Sequence, residues 1–228
     1  MAFFSVKIAI KFRIPTAFAF CLHSIDFFTT FAHQKTESIM IRIEKAKKAH
    51  AAEIAHLIMV AMTDDCCLNF CGEGRGLADF LQLMTLLAER EDSQYSWQNT
   101  FVALEDDKVV GIATSYDGGR LHELRKPFLE LAKVWLNRDH TGMDDETQAG
   151  ELYLDSLAVL PEYRKQGIAT QLIEATAQRA KDMHMPCVGL LVDTGNPSAE
   201  HLYHACGFRF ANPSTWGGHQ MKHLVRPL

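Results

Sequence analysis

The stretch from Leu152 to Val192 constrains the fold more than any other part of the chain. An apolar, strand-like run ends at Val159 and is closed by Pro161. An amphipathic helix follows from Gly167 to Met183, with Ile168, Leu172, Ile173, Thr176, Ala177 and Ala180 along one face. The short apolar run Cys187–Val192 then reads as a buried strand. Strand, helix and strand in close succession imply a sheet covered by helices.

The flanking sequence extends this pattern. Ile41–Lys45 alternates as a strand, and Lys47–Met62 and Leu77–Glu89 carry helical apolar spacing. Thr100–Leu104 and Val109–Ser115 read as a hairpin around Asp106-Asp107. Leu121, Leu124, Phe128, Leu131 and Trp135 predict a helix entered near Pro127. Asn137–Gly150 is polar and acidic and reads as a loop. Asn196–Cys206 is helical, and Phe208–Ala211 and Gln220–Val225 close the order as strands around Trp216-Gly217-Gly218.

Composition narrows the function classes. A chain of 228 residues with 47% apolar and 22% charged side chains is globular rather than disordered or fibrous. No apolar run approaches the ~20 residues of a membrane span, and no basic stripe marks a nucleic-acid footprint. The 6 cysteines show no metal-ligand spacing, so no metal is expected and a cytoplasmic location is the default. Cys187 and Cys206 read as small buried hydrophobes. Of the 14 Phe residues, Phe3, Phe4, Phe12, Phe18, Phe20, Phe27, Phe28 and Phe31 crowd the first 39 positions. We therefore expect residues 1–39 to be an extension, an accessory segment or an upstream addition to a start at Met40, with a targeting segment or an integral part of the fold as alternatives, and residues 40–228 to form the domain.

The chemistry sits at the strand-to-helix turn. The first turn of a helix has N–H groups without intrahelical partners, and its dipole places positive charge there. Gly167 lets an anion approach that backbone, and Arg164 and Lys165 add full charge. This layout suits a pyrophosphate, and an ordinary strand-to-helix connection fits the local pattern equally. No P-loop is present, and Gly72, Gly74 and Gly76 lack a preceding strand and the dinucleotide spacing.

Two motifs, in order, carry a resemblance. Arg164-x-x-Gly167-x-Ala169 resembles the acyl-CoA motif of the GNAT superfamily of N-acetyltransferases, and Asn196-x-x-Ala199-x-x-Leu202-Tyr203-x-x-x-Gly207-Phe208 resembles that family's second signature. The resemblance implies an α/β fold: a mixed, mostly antiparallel twisted sheet with a splayed parallel central strand pair, flanked by helices. It implies acetyl-CoA as cosubstrate and an amine acceptor and leaves a homodimer open; no nucleic-acid or membrane partner is expected, on the composition already given.

Residue by residue, the resemblance places the pantetheine arm along the backbone of Leu157, Ala158 and Val159. The pyrophosphate goes to the amides of Lys165, Gln166, Gly167, Ile168, Ala169 and Thr170, near Arg164. Asn196 would contact the pantetheine arm, or cap its own helix, or both. Tyr203 takes the place of the general acid; by its pattern alone it packs on a helical stripe with Leu202 and Cys206. Strict alternation puts Glu151, Tyr153, Asp155, Leu157 and Val159 on one face, which makes Asp155 and Glu151 the candidate general bases. Each is equally readable as a structural carboxylate. Acceptor choice is expected from Thr63–Asn99 and Gly118–Gly150, where Asp144-Asp145-Glu146 forms an acidic rim or a solvated loop, with His122, Arg125 and Lys126 nearby. A non-catalytic acyl-CoA-binding module on the same fold is the alternative.

Overall fold

The computed structural model describes residues 40–228. The extension expected at 1–39 lies outside the described residues. Thirteen regular elements follow one another: β1 (Ile41–Lys45), α1 (Ala51–Met62), α2 (Asp64–Asn69), α3 (Leu77–Glu89), β2 (Thr100–Glu105), β3 (Lys108–Asp117), α4 (Leu121–Trp135), β4 (Leu152–Val159), α5 (Ile168–Asp182), β5 (Cys187–Asp193), α6 (Pro197–Ala205), β6 (Arg209–Trp216) and β7 (His219–Pro227).

The strands form one mixed sheet in the order β1-β2-β3-β4-β5-β7-β6. Its single parallel pair, β4 and β5, holds only at Leu152↔Val188 and Tyr153↔Gly189. Beyond Tyr153 the two strands have no ladder between them, so the edge of β4 that faces β5 is open. The other edge of β4 stays paired with β3 as far as Val159↔Gly111.

Two apolar layers cover the sheet. On one face Ile54, Leu57 and Ile58 of α1, Phe80, Leu83 and Met84 of α3 and Phe128 of α4 bury against Val102, Ile112 and Ala158. On the other, Ile168, Leu172, Ile173 and Ala177 of α5 bury against Ala103, Ala113, Leu154, Leu190 and Leu224. The α5 stripe is the one its sequence period predicts.

The structure corrects several expectations. The strict alternation along β4 fails. Thr114 pairs with Ser156 and Ser115 with Leu154, so Asp155 is an extra, unpaired residue, a β-bulge. Before it, Leu152 and Leu154 face α5; after it, Leu157 and Val159 do, while Ala158 faces α1. One inserted residue exchanges the faces, so Leu157 and Val159 do not share a face with Tyr153 and Asp155. The helix expected to begin near Pro127 begins at Leu121 and carries Pro127 inside it. Burial of Leu121, Leu124 and Phe128 along one stripe offsets the roughly 3 kcal/mol that an internal proline costs. The short helix α2 was not legible in its polar sequence. β6 runs to Trp216 rather than stopping at Ala211, because Pro213 is tolerated on an edge strand. Cys187 is partly exposed rather than buried, and Cys206 is buried as expected.

Candidate active site

The turn between β4 and α5 is built for exposure. Lys165 (φ 61°) and Gly167 (φ 78°) both adopt the left-handed region. Gly167 is the N-cap of α5 and offers no side chain, and the first intrahelical bond runs from the Gln171 N–H to the Gly167 carbonyl. The amides of Ile168, Ala169 and Thr170 are therefore left for an external acceptor. A Cβ at Gly167 would have nothing within 4 Å, which marks open space over the backbone. Arg164, Lys165 and Gln166 are exposed, and Arg164 donates from Nε to the Val159 carbonyl at 3.0 Å, tying the turn to the end of β4. No acidic residue occupies the first turn of α5. The residues fit a bound anion.

The open edge of β4 leads from this turn into the cleft. Leu157, Ala158 and Val159 pair with Ala113, Ile112 and Gly111 on one side only. Their other edge can take an extended ligand as an added strand. Across the gap, β5 continues into α6. Asn196 caps that helix, its Oδ1 accepting from the Ala199 N–H at 3.1 Å. The cap leaves the Asn196 amide NH2 free of any bond among the described residues.

The two proton-handling candidates approach the gap from opposite faces. Tyr203, on α6, packs its ring edge-on to Phe208 at 5.7 Å in the layer that α5 covers. Burial, reinforced by Cys206, pushes its hydroxyl up to about 12, so it keeps its proton at neutral pH. Asp155 stands on the bulge, on the face of α1. Burial first, and then the charge of Glu146, push its carboxyl up to about 7. The Ser156 hydroxyl donates to Asp155 Oδ2 at 2.7 Å and partly opposes that rise, as do Arg125 and Gln94.

A buried polar cluster surrounds Asp155. Glu146 accepts from the Tyr116 hydroxyl at 2.8 Å, from Gln94 Nε2 at 3.2 Å and from Arg125. Arg125 is 3% exposed and also binds Asp145 Oδ1 at 3.0 Å. Arg125 is thus spent inside the protein, whereas His122 and Lys126 point outward. The acidic loop divides: Glu146 is buried and Asp144 lines a surface cavity.

Glu151 has a different setting. It is 2% exposed, and its two carboxylate oxygens are taken by the Thr147 hydroxyl (2.6 Å) and His223 Nε2 (2.8 Å). The carboxylate lies over Gly189, where any Cβ would come within 1.9 Å of Oε2. His223 in turn meets Asn212 Oδ1 through Nδ1 at 3.1 Å. This chain joins β4, β5, β7 and β6 where the parallel pair is still closed.

Sequence reasoning missed Gln94, Tyr116 and Arg179. Arg179, on α5, donates to the carbonyl of Ser115 at 3.0 Å and to Asn99 Oδ1 at 3.2 Å. Ser115 faces the bulge, so Arg179 satisfies backbone beside Asp155. An arginine beside a helix's apolar stripe was the available signal, a weak one because Asp182 stands one turn on as an ordinary local partner. Among the described residues no group of three or more His, Cys, Asp or Glu side chains is arranged to hold a metal ion. No helix among them is long and apolar enough to cross a membrane.

The sheet with its opened parallel pair and exposed helix N-terminus defines a class, and comparison with known proteins agrees. The model of the acetyltransferase (GNAT) family matches residues 75–208, and the chain belongs to that family. A crystal structure described as an acetyltransferase is similar with a TM-score of 0.68 and 26% identity, covering 82% of this chain and 98% of that one. An N-acetyltransferase from Staphylococcus aureus Mu50 gives a TM-score of 0.67 and 21% identity over 81% of this chain and 99% of that one. Ard1 from Thermoplasma volcanium gives 0.53 and 15% over 82% and 97%. The last two likenesses concern the fold alone. No curated protein matches the sequence.

Proposed function

We propose that the protein transfers an acetyl group from acetyl-CoA to a primary amine by direct attack within a ternary complex. The observation that carries this reading is the end of β4–β5 pairing at Tyr153↔Gly189. It leaves an open backbone edge between the uncapped N-terminus of α5 and the two proton-handling side chains.

In this reading the amides of residues 165–170, with Arg164, hold the pyrophosphate. The pantetheine arm adds to the edge of Leu157, Ala158 and Val159, and the free amide of Asn196 steadies it. Asp155 takes a proton from the incoming ammonium, directly or through a water. A carboxyl held near 7 suits that task, because it can both accept and release a proton at neutral pH. The amine nitrogen then bonds to the thioester carbon as the carbon–sulfur bond breaks. The Tyr203 hydroxyl supplies a proton to the departing thiolate, and the second proton that the nitrogen sheds on becoming an amide passes through water to restore Tyr203. Of the two acidic candidates, Asp155 is the base in this proposal, since both oxygens of Glu151 are engaged by Thr147 and His223.

Thermal unfolding with and without acetyl-CoA tests the donor site. At about 100 times its dissociation constant the ligand adds about 2.7 kcal/mol, a rise of roughly 5–10 °C for a domain of this size. No shift at millimolar acetyl-CoA overturns the donor site and the transferase reading with it.

A further inference from the structure

A cavity of about 460 Å³ opens between α2, the segment after α4 and the β6–β7 turn. Phe70, His140 and Trp216 line it, with ring centroids 5.0 Å (Phe70–His140) and 5.9 Å (Phe70–Trp216) apart. Its size falls within the roughly 300–1,000 Å³ typical of small-molecule sites.

The topology brings this cavity to the mouth of the opened strand pair. Asp193, the last residue of β5, pairs with Met221, so the Trp216–His219 turn lies just past the end of β5 that has diverged from β4. Phe70 belongs to the apolar layer of α1, α3 and α4, opposite α5. A donor held on the α5 turn and a molecule in this cavity would therefore approach the cleft from opposite faces. Two features lead inward from it. Asp144 lines the cavity and Glu146, two residues on, is spanned by at most about 7 Å of chain. The charge of Glu146 reaches Asp155. Aromatic contacts run the same way, from Phe70 to Phe128 (5.7 Å) and from Phe128 to Tyr95 (6.0 Å).

The lining carries one carboxylate, Asp144, and one guanidinium, Arg138, so an ammonium would meet its counter-charge at Asp144 alone. Asp144 Oδ2 accepts from the Gly217 N–H at 3.1 Å, and no cation among the described residues pairs with its carboxylate. Arg138 is turned onto the backbone carbonyls of Asn69 and Cys71. His219 is paired with Asp193 at 3.2 Å.

Resting on the transferase reading, we propose that this cavity takes the non-reacting half of the acceptor and that this half is a planar aromatic group. The acceptor class is then a primary amine joined by a short alkyl chain to an aromatic ring. The ring lies against Phe70 and Trp216, and the chain carries the amine past Asp144 toward Asp155.

The test compares rates of thiol release from acetyl-CoA with 2-phenylethylamine and tryptamine against butylamine and spermidine. The aromatic amines are expected to have kcat/KM values at least about tenfold higher. Trp216→Ala is expected to reduce that aromatic-to-aliphatic preference at least about tenfold, mainly through KM. On the unaltered protein, 2-phenylethanol is expected to compete with the amine and not with acetyl-CoA. Equal or better turnover of the aliphatic amines, or no competition by 2-phenylethanol, overturns the aromatic assignment while the transferase reading stands. Thiol release with none of the amines, despite stabilisation by acetyl-CoA, overturns both.

Discussion

Replacing Asp155 by Asn removes a carboxyl whose acidity the fold moves from 3.8 to about 7. The shift spans about 3 units, and at 1.36 kcal/mol per unit the ionised form costs the folded state at most about 4 kcal/mol. Asp155 is only partly buried, and solvent screening brings the expected net figure to about 2 kcal/mol. The native state binds the extra proton between the two values. Stability of the unaltered protein therefore falls as pH rises from about 4 to about 7 and levels off above that. Asp155→Asn cannot ionise and escapes the loss. At pH 8 the variant should melt roughly 4–8 °C higher than the parent, and near pH 4 the two should melt together. Activity should move oppositely. A base titrating near 7 gives kcat/KM an acid limb that rises tenfold per pH unit and bends near 7. The variant should lose about 10²–10⁴ of kcat/KM and that limb with it. Calorimetry across pH and initial rates of thiol release read both effects. A variant that keeps the parent's rate and its acid limb would refute the assignment of Asp155.

Four further outcomes follow from the geometry. Gly167→Glu should abolish stabilisation by acetyl-CoA in thermal unfolding, because it places a side chain and a negative charge in the open space over the α5 amides. Tyr203→Phe should lower kcat at least about tenfold while the acetyl-CoA stabilisation stays intact, since only the proton donor is lost. Gly189→Ala should cost at least about 2 kcal/mol in denaturant unfolding, because its Cβ would meet Glu151 Oε2 at 1.9 Å and push the carboxylate off His223. Arg179→Met should leave the Ser115 carbonyl without its donor, cost about 1–3 kcal/mol and shift the acid limb of kcat/KM by loosening the bulge that carries Asp155.

The sequence made the scaffold readable wherever burial repeats with a regular period. The stripe from Ile168 to Ala180 is one face of α5, and the short run Cys187–Val192 is β5. The turn between β4 and α5 was also legible, because backbone amides and a glycine act there rather than particular side-chain contacts. What resisted were features set by tertiary pairing. The bulge at Asp155 depends on how β4 meets Thr114 and Ser115 of β3, and nothing in the composition of Leu152–Val159 announces an extra residue. The cluster around Glu146 joins it to Gln94, 52 residues away in sequence, so neither neighbourhood hints at the other. Pro127 misled for a related reason: its local preference as a helix opener gives way to the buried stripe of Leu121, Leu124 and Phe128.

Transfer itself is the claim on which the rest depends, and one assay reads it directly. Purified protein with acetyl-CoA and a panel of primary amines is followed for free thiol, with mass spectrometry of the amine. The account predicts thiol release that requires both substrates, an acetylated amine in equal amount, and both signals slowed together in Asp155→Asn and Tyr203→Phe. Protein that is stabilised by acetyl-CoA but acetylates no amine in the panel would contradict it, and would leave a binding module in place of an enzyme.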